Sequence, residues 1–261
     1  MLEARDITYA YTADIPVLKG ISVTLERGTI LYLLGRNGCG KTTLMQCLSG
    51  VLKPDSGTIT LNGKPILAYA PTERAQRIGL IPQVHTPAFA YTVHEMILMG
   101  RAPHLGLFGA PGKADYAIAD EALNSVGLAR YRDRPYTQLS GGERQLVLIA
   151  RGLAQQCRIL LMDEPDAHLD LNNQQSVMTI VQQLAADGLS FIVTSHTPNN
   201  ALVYAHQVLL MKAGQALAAG DPSNTLTEHY LSAAYDMDTE VIYETNGDQR
   251  IARAILPRKR S

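Results

Sequence analysis

Apolar residues fall along this chain in two rhythms. Residues 29–34, 78–81, 158–162, 191–194 and 208–211 are short, almost continuously apolar runs bounded by Gly, Pro or polar residues. Runs of that length predict buried strands rather than helices. Burial on both faces suits 158–162 to a parallel, central position, and Gly214 soon after 208–211 predicts a late hairpin. Between the runs, apolar positions recur at helical spacing in 44–49, 93–99, 113–126, 146–156 and 172–186. Thr92-Val93-His94-Glu95 has the form of a capping box, and Gly127 closes the helix that carries Ala117, Ala122, Leu123 and Val126. Asp221-Pro222 opens a further helix that ends near Tyr235.

Strict alternation marks a different texture. Residues 7–11 and 17–25 predict two strands around a turn at Asp14-Ile15-Pro16. Thr58-Ile59-Thr60-Leu61 alternates ahead of Asn62-Gly63, a strong hairpin signal, and Asn246-Gly247 divides a last pair of strands in the same way. The pattern predicts an α/β core from 1–83 and 156–235 with an antiparallel part at its start. Residues 84–155 predict an inserted helical subdomain, and 236–261 a C-terminal hairpin and basic tail. No internal repeat is present, so the core is a single unit.

Chemistry gathers at the ends of the apolar runs. Gly35-Arg36-Asn37-Gly38-Cys39-Gly40-Lys41-Thr42-Thr43 follows a predicted strand and opens a predicted helix. That context makes G-x-x-x-x-G-K-[ST] a phosphate loop, in which backbone N–H groups and the helix start surround phosphate oxygens. Lys41 would reach the β- and γ-phosphates, and the Thr42 hydroxyl would ligate Mg²⁺. Run 158–162 ends in Asp163-Glu164. There Asp163 suits Mg²⁺, and Glu164 suits orienting or deprotonating a water that attacks the γ-phosphate. His196 ends another run, where it is either structural or aimed at the γ-phosphate. Ser140-Gly141-Gly142 opens a helix, as a simple cap or as a second anion-binding start. On spacing alone Tyr9 and Tyr11 are ordinary strand aromatics, although an aromatic from this hairpin is placed to stack on adenine.

Composition narrows the class. A chain of 261 residues can bury a full core without staples. A formal net charge of -1 argues against nonspecific binding to nucleic acid or lipid, and Arg258-Lys259-Arg260 reads as a solvated tail. Cys39, Cys47 and Cys157 are an odd set without C-x-x-C spacing, which suits a reduced compartment and not a zinc site. The start of the chain lacks the features of a signal peptide, and no apolar run is long enough to span a bilayer, so the expectation is a protein soluble by itself.

Together these pieces closely resemble the ATP-binding subunits of ABC transporters. The phosphate loop alone says only NTPase. Leu139-Ser140-Gly141-Gly142-Glu143 upstream of Leu160-Leu161-Met162-Asp163-Glu164-Pro165 carries the resemblance, which covers residues 7–196 in its diagnostic elements. It implies an α/β P-loop NTPase core of ABC type, with an antiparallel β appendage and an inserted helical subdomain, that binds ATP and Mg²⁺ and hydrolyses ATP. Tyr11 would stack on adenine, while Gly35, Asn37, Gly38, Cys39, Gly40, Lys41, Thr42 and Thr43 cradle the phosphates. Gln83 would sense Mg²⁺ and the γ-phosphate, sharing the metal with Thr42 and Asp163. Ser140, Gly141 and Gly142 would contact ATP held by a second copy, and Asp170 would lie in the loop that crosses the dimer interface. Glu164, His196 (the switch histidine), Lys41 and Gln83 form the implied catalytic set. Three positions depart from the family pattern: Cys39 replaces a commoner serine and sets a thiol open to alkylation beside nucleotide, Ala167 replaces a serine, and Thr197 stands where aspartate is common.

Residues 93–101 and 196–201 resemble the importer group that handles iron–siderophores, haem, cobalamin and, in some members, molybdate. That implies a head-to-tail ATP-sandwich dimer at the cytoplasmic face of the cell membrane, bound to a dimeric permease and served by an extracytoplasmic substrate-binding protein, with no nucleic-acid partner. Tyr91, Val93, Met96 and Met99 are candidates for the floor of a groove that receives a permease helix, or for internal packing. The rival is a soluble, non-transport ABC ATPase acting in cofactor assembly or on nucleic acid.

Overall fold

A computed structural model describes residues 1–12, 14–83, 89–106, 109–167, 169–246 and 249–258. It divides into two compact units, Met1–Ala68 with Ser190–Ser261, and Tyr69–Leu189. The chain starts in the first unit with β1 (Leu2–Thr12), β2 (Ile15–Leu25), β3 (Ile30–Leu34), α1 (Lys41–Leu48), β4 (Ser56–Leu61) and β5 (Lys64–Pro65). The second unit holds α2 (Pro71–Ala75), β6 (Ile78–Ile81), α3 (Val93–Leu98), α4 (Lys113–Ser125), α5 (Gly141–Ala154), β7 (Ile159–Met162) and α6 (Leu171–Ala186). The chain then returns with β8 (Ser190–Ser195), α7 (Pro198–Tyr204), β9 (Gln207–Lys212) and β10 (Gln215–Gly220). It ends with α8 (Pro222–Thr225), α9 (Glu228–Tyr235), β11 (Thr239–Asn246) and β12 (Gln249–Pro257).

In the first unit β2, β1, β4 and β5 form an antiparallel sheet in that order. Asn62 and Gly63 both take positive φ, 51° and 79°, which is the turn that their pairing predicts between β4 and β5. Pro16 is tolerated because β2 is an edge strand. The other layer of this unit runs β10–β9–β3–β8. β3 is parallel to both neighbours, with Leu34 opposite Ser195 on β8 and Leu210 on β9. All five residues of β3 and all six of β8 are buried, as expected of strands covered on both faces.

In the second unit β6 and β7 pair in parallel, from Ile78 opposite Ile159 to Ile81 opposite Met162. Thr92 caps α3 as predicted: its backbone N–H donates to Glu95 Oε2 at 2.7 Å, and its hydroxyl accepts from the Glu95 N–H at 3.2 Å. The buried Arg101 ties this region together. Its guanidinium donates to Asp115 Oδ1 (2.8 Å), the Ala154 carbonyl (2.8 Å) and Gln156 Oε1 (2.9 Å), which holds the Asp115 carboxyl below its usual range.

One open reading is decided here, and one expectation fails. Val93 and Met96 are fully buried, so they pack inside the unit and floor no groove; Met99 is exposed and Tyr91 half-buried. The helix expected over 221–235 is two helices. Leu226 leaves helical geometry at φ -90°, ψ 55°, and Thr227 starts α9 afresh by accepting a hydrogen bond from the Tyr230 N–H. Gly247, Lys259 and Arg260, named in the predicted last turn and tail, lie outside the described residues.

Gly100 carries the tightest helix contact of the second unit. A Cβ there would stand 2.2 Å from the Arg151 carbonyl oxygen, a backbone atom that can yield only if α5 shifts. Gly100→Ala is expected to lower unfolding free energy by about 1–3 kcal/mol. Urea unfolding beside the wild type measures this, and an unchanged midpoint refutes it.

Candidate functional site

The phosphate loop of the first unit is shaped by the strands beside it. Gly35 follows β3 with φ 145°, and a Cβ there would lie 2.3 Å from the Met211 carbonyl oxygen of β9, so only glycine fits. The loop is pinned at its other end too: Gly214 N–H donates to the Cys39 carbonyl (3.1 Å), and Lys19 N–H of β2 donates to the Gly214 carbonyl (2.8 Å). Gly40, at φ 107°, delivers the chain into α1. Lys41 is buried, with its ammonium folded back on the carbonyls of Gly35 (2.7 Å) and Arg36 (3.2 Å). Arg36, Asn37, Gly38 and Thr42 face solvent around it. A buried cation, open backbone and a helix start form an arrangement suited to phosphate.

Tyr11 stands beside the start of α1. Its hydroxyl is 3.3 Å from Thr43 Oγ1 and donates to Gln46 Oε1 at 3.4 Å, while the residue remains 60% exposed. An exposed ring fixed at its tip offers a face to a planar base. On the opposite flank, Leu34 and Ser195 are register partners, so Gly35 and His196 leave neighbouring strand ends together. His196 is exposed.

The second unit assembles the remaining candidates. The Asp163 N–H donates to the Ile81 carbonyl at 2.9 Å, which joins the ends of β6 and β7. Glu164 follows in the left-handed region at φ 44°, unusual for a residue that is not glycine, asparagine or aspartate. Such a conformation carries about 1–3 kcal/mol of strain and gathers at functional sites. It brings Glu164 Oε2 to Gln83, whose Nε2 donates to it at 2.9 Å.

Ser140 caps α5. Its hydroxyl accepts from the Glu143 N–H (3.3 Å), and its own N–H donates to Glu143 Oε2 (2.8 Å), which holds that carboxyl below the usual range. The Ser140 hydroxyl also supports the Glu143 carboxylate, so the helix start is organised by a reciprocal cap. Asp170 caps α6 by accepting from the Asn173 N–H and Nδ2, each at 2.8 Å. The two helix starts press together: a Cβ on Gly142 would stand 2.6 Å from Asn173 Oδ1. Met211 and Gly214 were legible only as parts of a late hairpin; their place at the phosphate loop escaped sequence reasoning, because only the β3–β9 register brings them there.

A family model described as ABC transporter matches residues 18–167. The chain belongs to the ABC transporter family. It is the ATP-binding, ATP-hydrolysing kind of subunit in that family. Among its relatives, the molybdate import ATP-binding protein of Haemophilus influenzae is 36% identical over 90% of this chain and 88% of its own length. The hemin import ATP-binding protein of Thermobifida fusca is 37% identical over 93% of this chain and 84% of its own. A solved structure described as an inward-facing metal-chelate type ABC transporter superposes with a TM-score of 0.86 at 32% identity, covering 99% of this chain and 97% of that one. Among the described residues of this ABC ATPase no helix is long and apolar enough to cross a membrane.

The setting of Cys39 argues against the ready alkylation expected of its thiol. Its thiol is buried beneath the loop, and burial raises its pKa against the lowering influence of Lys41. A raised pKa leaves less thiolate at pH 8, and thiolate is the form that alkylates. Iodoacetamide is expected to label native Cys39 about tenfold or more slowly than denatured Cys39 at pH 8, with the native rate climbing as pH rises further. Peptide mass spectrometry over a time course reads both rates, and equal rates overturn the expectation.

Proposed function

We propose that this ABC ATPase powers import of a metal chelate, such as an iron–siderophore, haem or cobalamin, or of an oxyanion, through a membrane permease. The observation that carries the reading is likeness over nearly the whole chain to molybdate and hemin import ATP-binding proteins, alongside a metal-chelate type transporter structure. No observation favours the soluble, non-transport alternative. Two copies form a head-to-tail dimer on a dimeric permease at the cytoplasmic face of the membrane, and an extracytoplasmic binding protein delivers the cargo. Residues 84–155 form the helical subdomain that moves, and the exposed Phe89 and Met99, with the half-buried Tyr91, are its candidates for permease contact.

In this reading Tyr11 stacks on adenine, and Gly35, Asn37, Gly38, Cys39, Gly40, Lys41, Thr42 and Thr43 hold the phosphates. Thr42, Asp163 and Gln83 offer oxygen donors to Mg²⁺, a hard cation that suits them and that would neutralise phosphate charge when bound. Glu164 orients the attacking water and accepts its proton, held in place by Gln83 and by the strained backbone. His196 supports the γ-phosphate. Ser140, Gly141 and Gly142 close over ATP bound to the other copy, near Asp170. Loss of the γ-phosphate contacts on hydrolysis reopens the pair.

Glu164→Gln removes the proton acceptor and keeps the shape. It is expected to lower ATP turnover about 100-fold or more and to trap an ATP-bound dimer. Turnover at the wild-type rate would refute the role. The transport reading is tested by purifying the tagged protein from its native membranes in gentle detergent and identifying its companions by mass spectrometry. A multi-span permease is the expected companion, whereas soluble assembly or nucleic-acid proteins without a permease would overturn import.

A further inference from the structure

The contacts of the phosphate loop lead to one place with no assigned role, the end of α9. Asp236 follows that helix in the left-handed region at φ 53°, ψ 37°, a conformation that Asp tolerates. The turn aims its carboxylate at two cations. Oδ2 accepts from Arg36 Nη1 at 2.9 Å, and Oδ1 accepts from Lys212 Nζ, which also donates to the Ala233 carbonyl at 2.6 Å. One residue earlier, Tyr235 directs its hydroxyl to Gly35 and Cys39. That oxygen is buried, with no hydrogen-bond partner among the described residues.

The helix is a fixed platform for these two residues. Thr239 N–H donates to Ser232 Oγ (3.0 Å), and Val241 N–H donates to Glu228 Oε1 (3.1 Å), which fastens α9 to β11. The Asn199 side chain then clamps β12 to α7, donating to the Ile255 carbonyl (3.1 Å) and accepting from its N–H (2.7 Å). Asn199 lies three residues after His196, so the same hairpin joins both strand ends of the first unit.

We propose that Tyr235 and Asp236 are positioning residues for the phosphate loop, and that the C-terminal segment 228–257 thereby sets the affinity for ATP. The proposal rests on the reading of Gly35 and residues 37–43 as the ATP site. Arg36 is the lever: its carbonyl accepts from Lys41 Nζ and from the Cys39 N–H (3.2 Å), so holding its side chain holds the first turn of the loop. An exposed ion pair adds little to global stability. A loop ordered before its ligand arrives loses less entropy on binding, so the contact acts on affinity instead.

The test is a double-mutant cycle in the full chain, with Arg36→Gln and Asp236→Asn, the latter keeping the left-handed cap and removing only the charge. Affinity for a fluorescent ATP analogue, KM and kcat for ATP, and thermal midpoint are measured for each protein. Each single variant is expected to weaken ATP binding by about threefold to tenfold, with kcat within about twofold and the midpoint nearly unchanged. The double variant is expected to bind no more weakly than the weaker single variant, because both remove the Arg36–Asp236 pair. Wild-type affinity in Asp236→Asn, or additive losses in the double variant, overturns the proposal. A purely structural role would lower the midpoint and the active fraction without moving the affinity of the remaining molecules, and that result overturns it too. Lys41→Ala serves as the separate check: wild-type affinity there would sink the ATP-site reading beneath the proposal.

Discussion

A carbonyl oxygen decides the geometry of the phosphate loop. Met211 O of β9 occupies the space where residue 35 would carry a side chain, so the chain can leave β3 only as glycine and only in a conformation open to glycine. That contact exists because β9 lies parallel to β3 in a fixed register, with Leu210 beside Leu34. The same register on the other side sets Ser195 beside Leu34. A slip of one residue in either pairing would turn every buried side chain of these strands to the opposite face. Full burial of β3 and β8 therefore protects the placement of Gly35 and His196 as much as it stabilises the unit.

The second unit solves a related problem with strain and caps. Glu164 is held at positive φ immediately after the buried run of β7, where the Asp163–Ile81 hydrogen bond fixes the preceding residue and Gln83 fixes the carboxylate. Ser140 and Asp170 place oxygen atoms at two neighbouring helix starts, and the absence of a side chain at Gly142 lets those starts approach. Each of these residues serves local folding already. A group that its own backbone has ordered needs no further ordering when a ligand arrives.

How much of this was legible in the sequence depended on the range of the interaction. The phosphate loop, the Thr92 and Ser140 caps and the Asn62-Gly63 turn are written within a few neighbouring residues, and the structure builds each as the local pattern directs. Val93 and Met96 were ambiguous because an apolar residue on a short helix fits a core and a docking groove equally well; burial in the unit decides for the core. The break at Leu226 was hidden because Asp221-Pro222 is a strong start signal, while Thr227, the second start, sits inside an otherwise continuous helical pattern. The late hairpin and a helix ending near Tyr235 were legible, but the contacts of Met211, Gly214, Tyr235 and Asp236 with the loop were not. Their meaning comes from strand pairing and helix return across more than 170 positions of chain, and no local pattern records it.

The resting place of Lys41 connects these observations to turnover. A buried ammonium is strongly unfavourable unless polar groups compensate it, and here the Gly35 and Arg36 carbonyls do so. A phosphate entering the loop can take over that compensation, so the charge is never left bare. The exchange depends on how firmly the two carbonyls are held. Gly35 is fixed by the Met211 contact, and Arg36 by its side-chain tie to Asp236. The affinity of the loop is thus written partly in strands and a helix that come after residue 200, far from the motif that announces it.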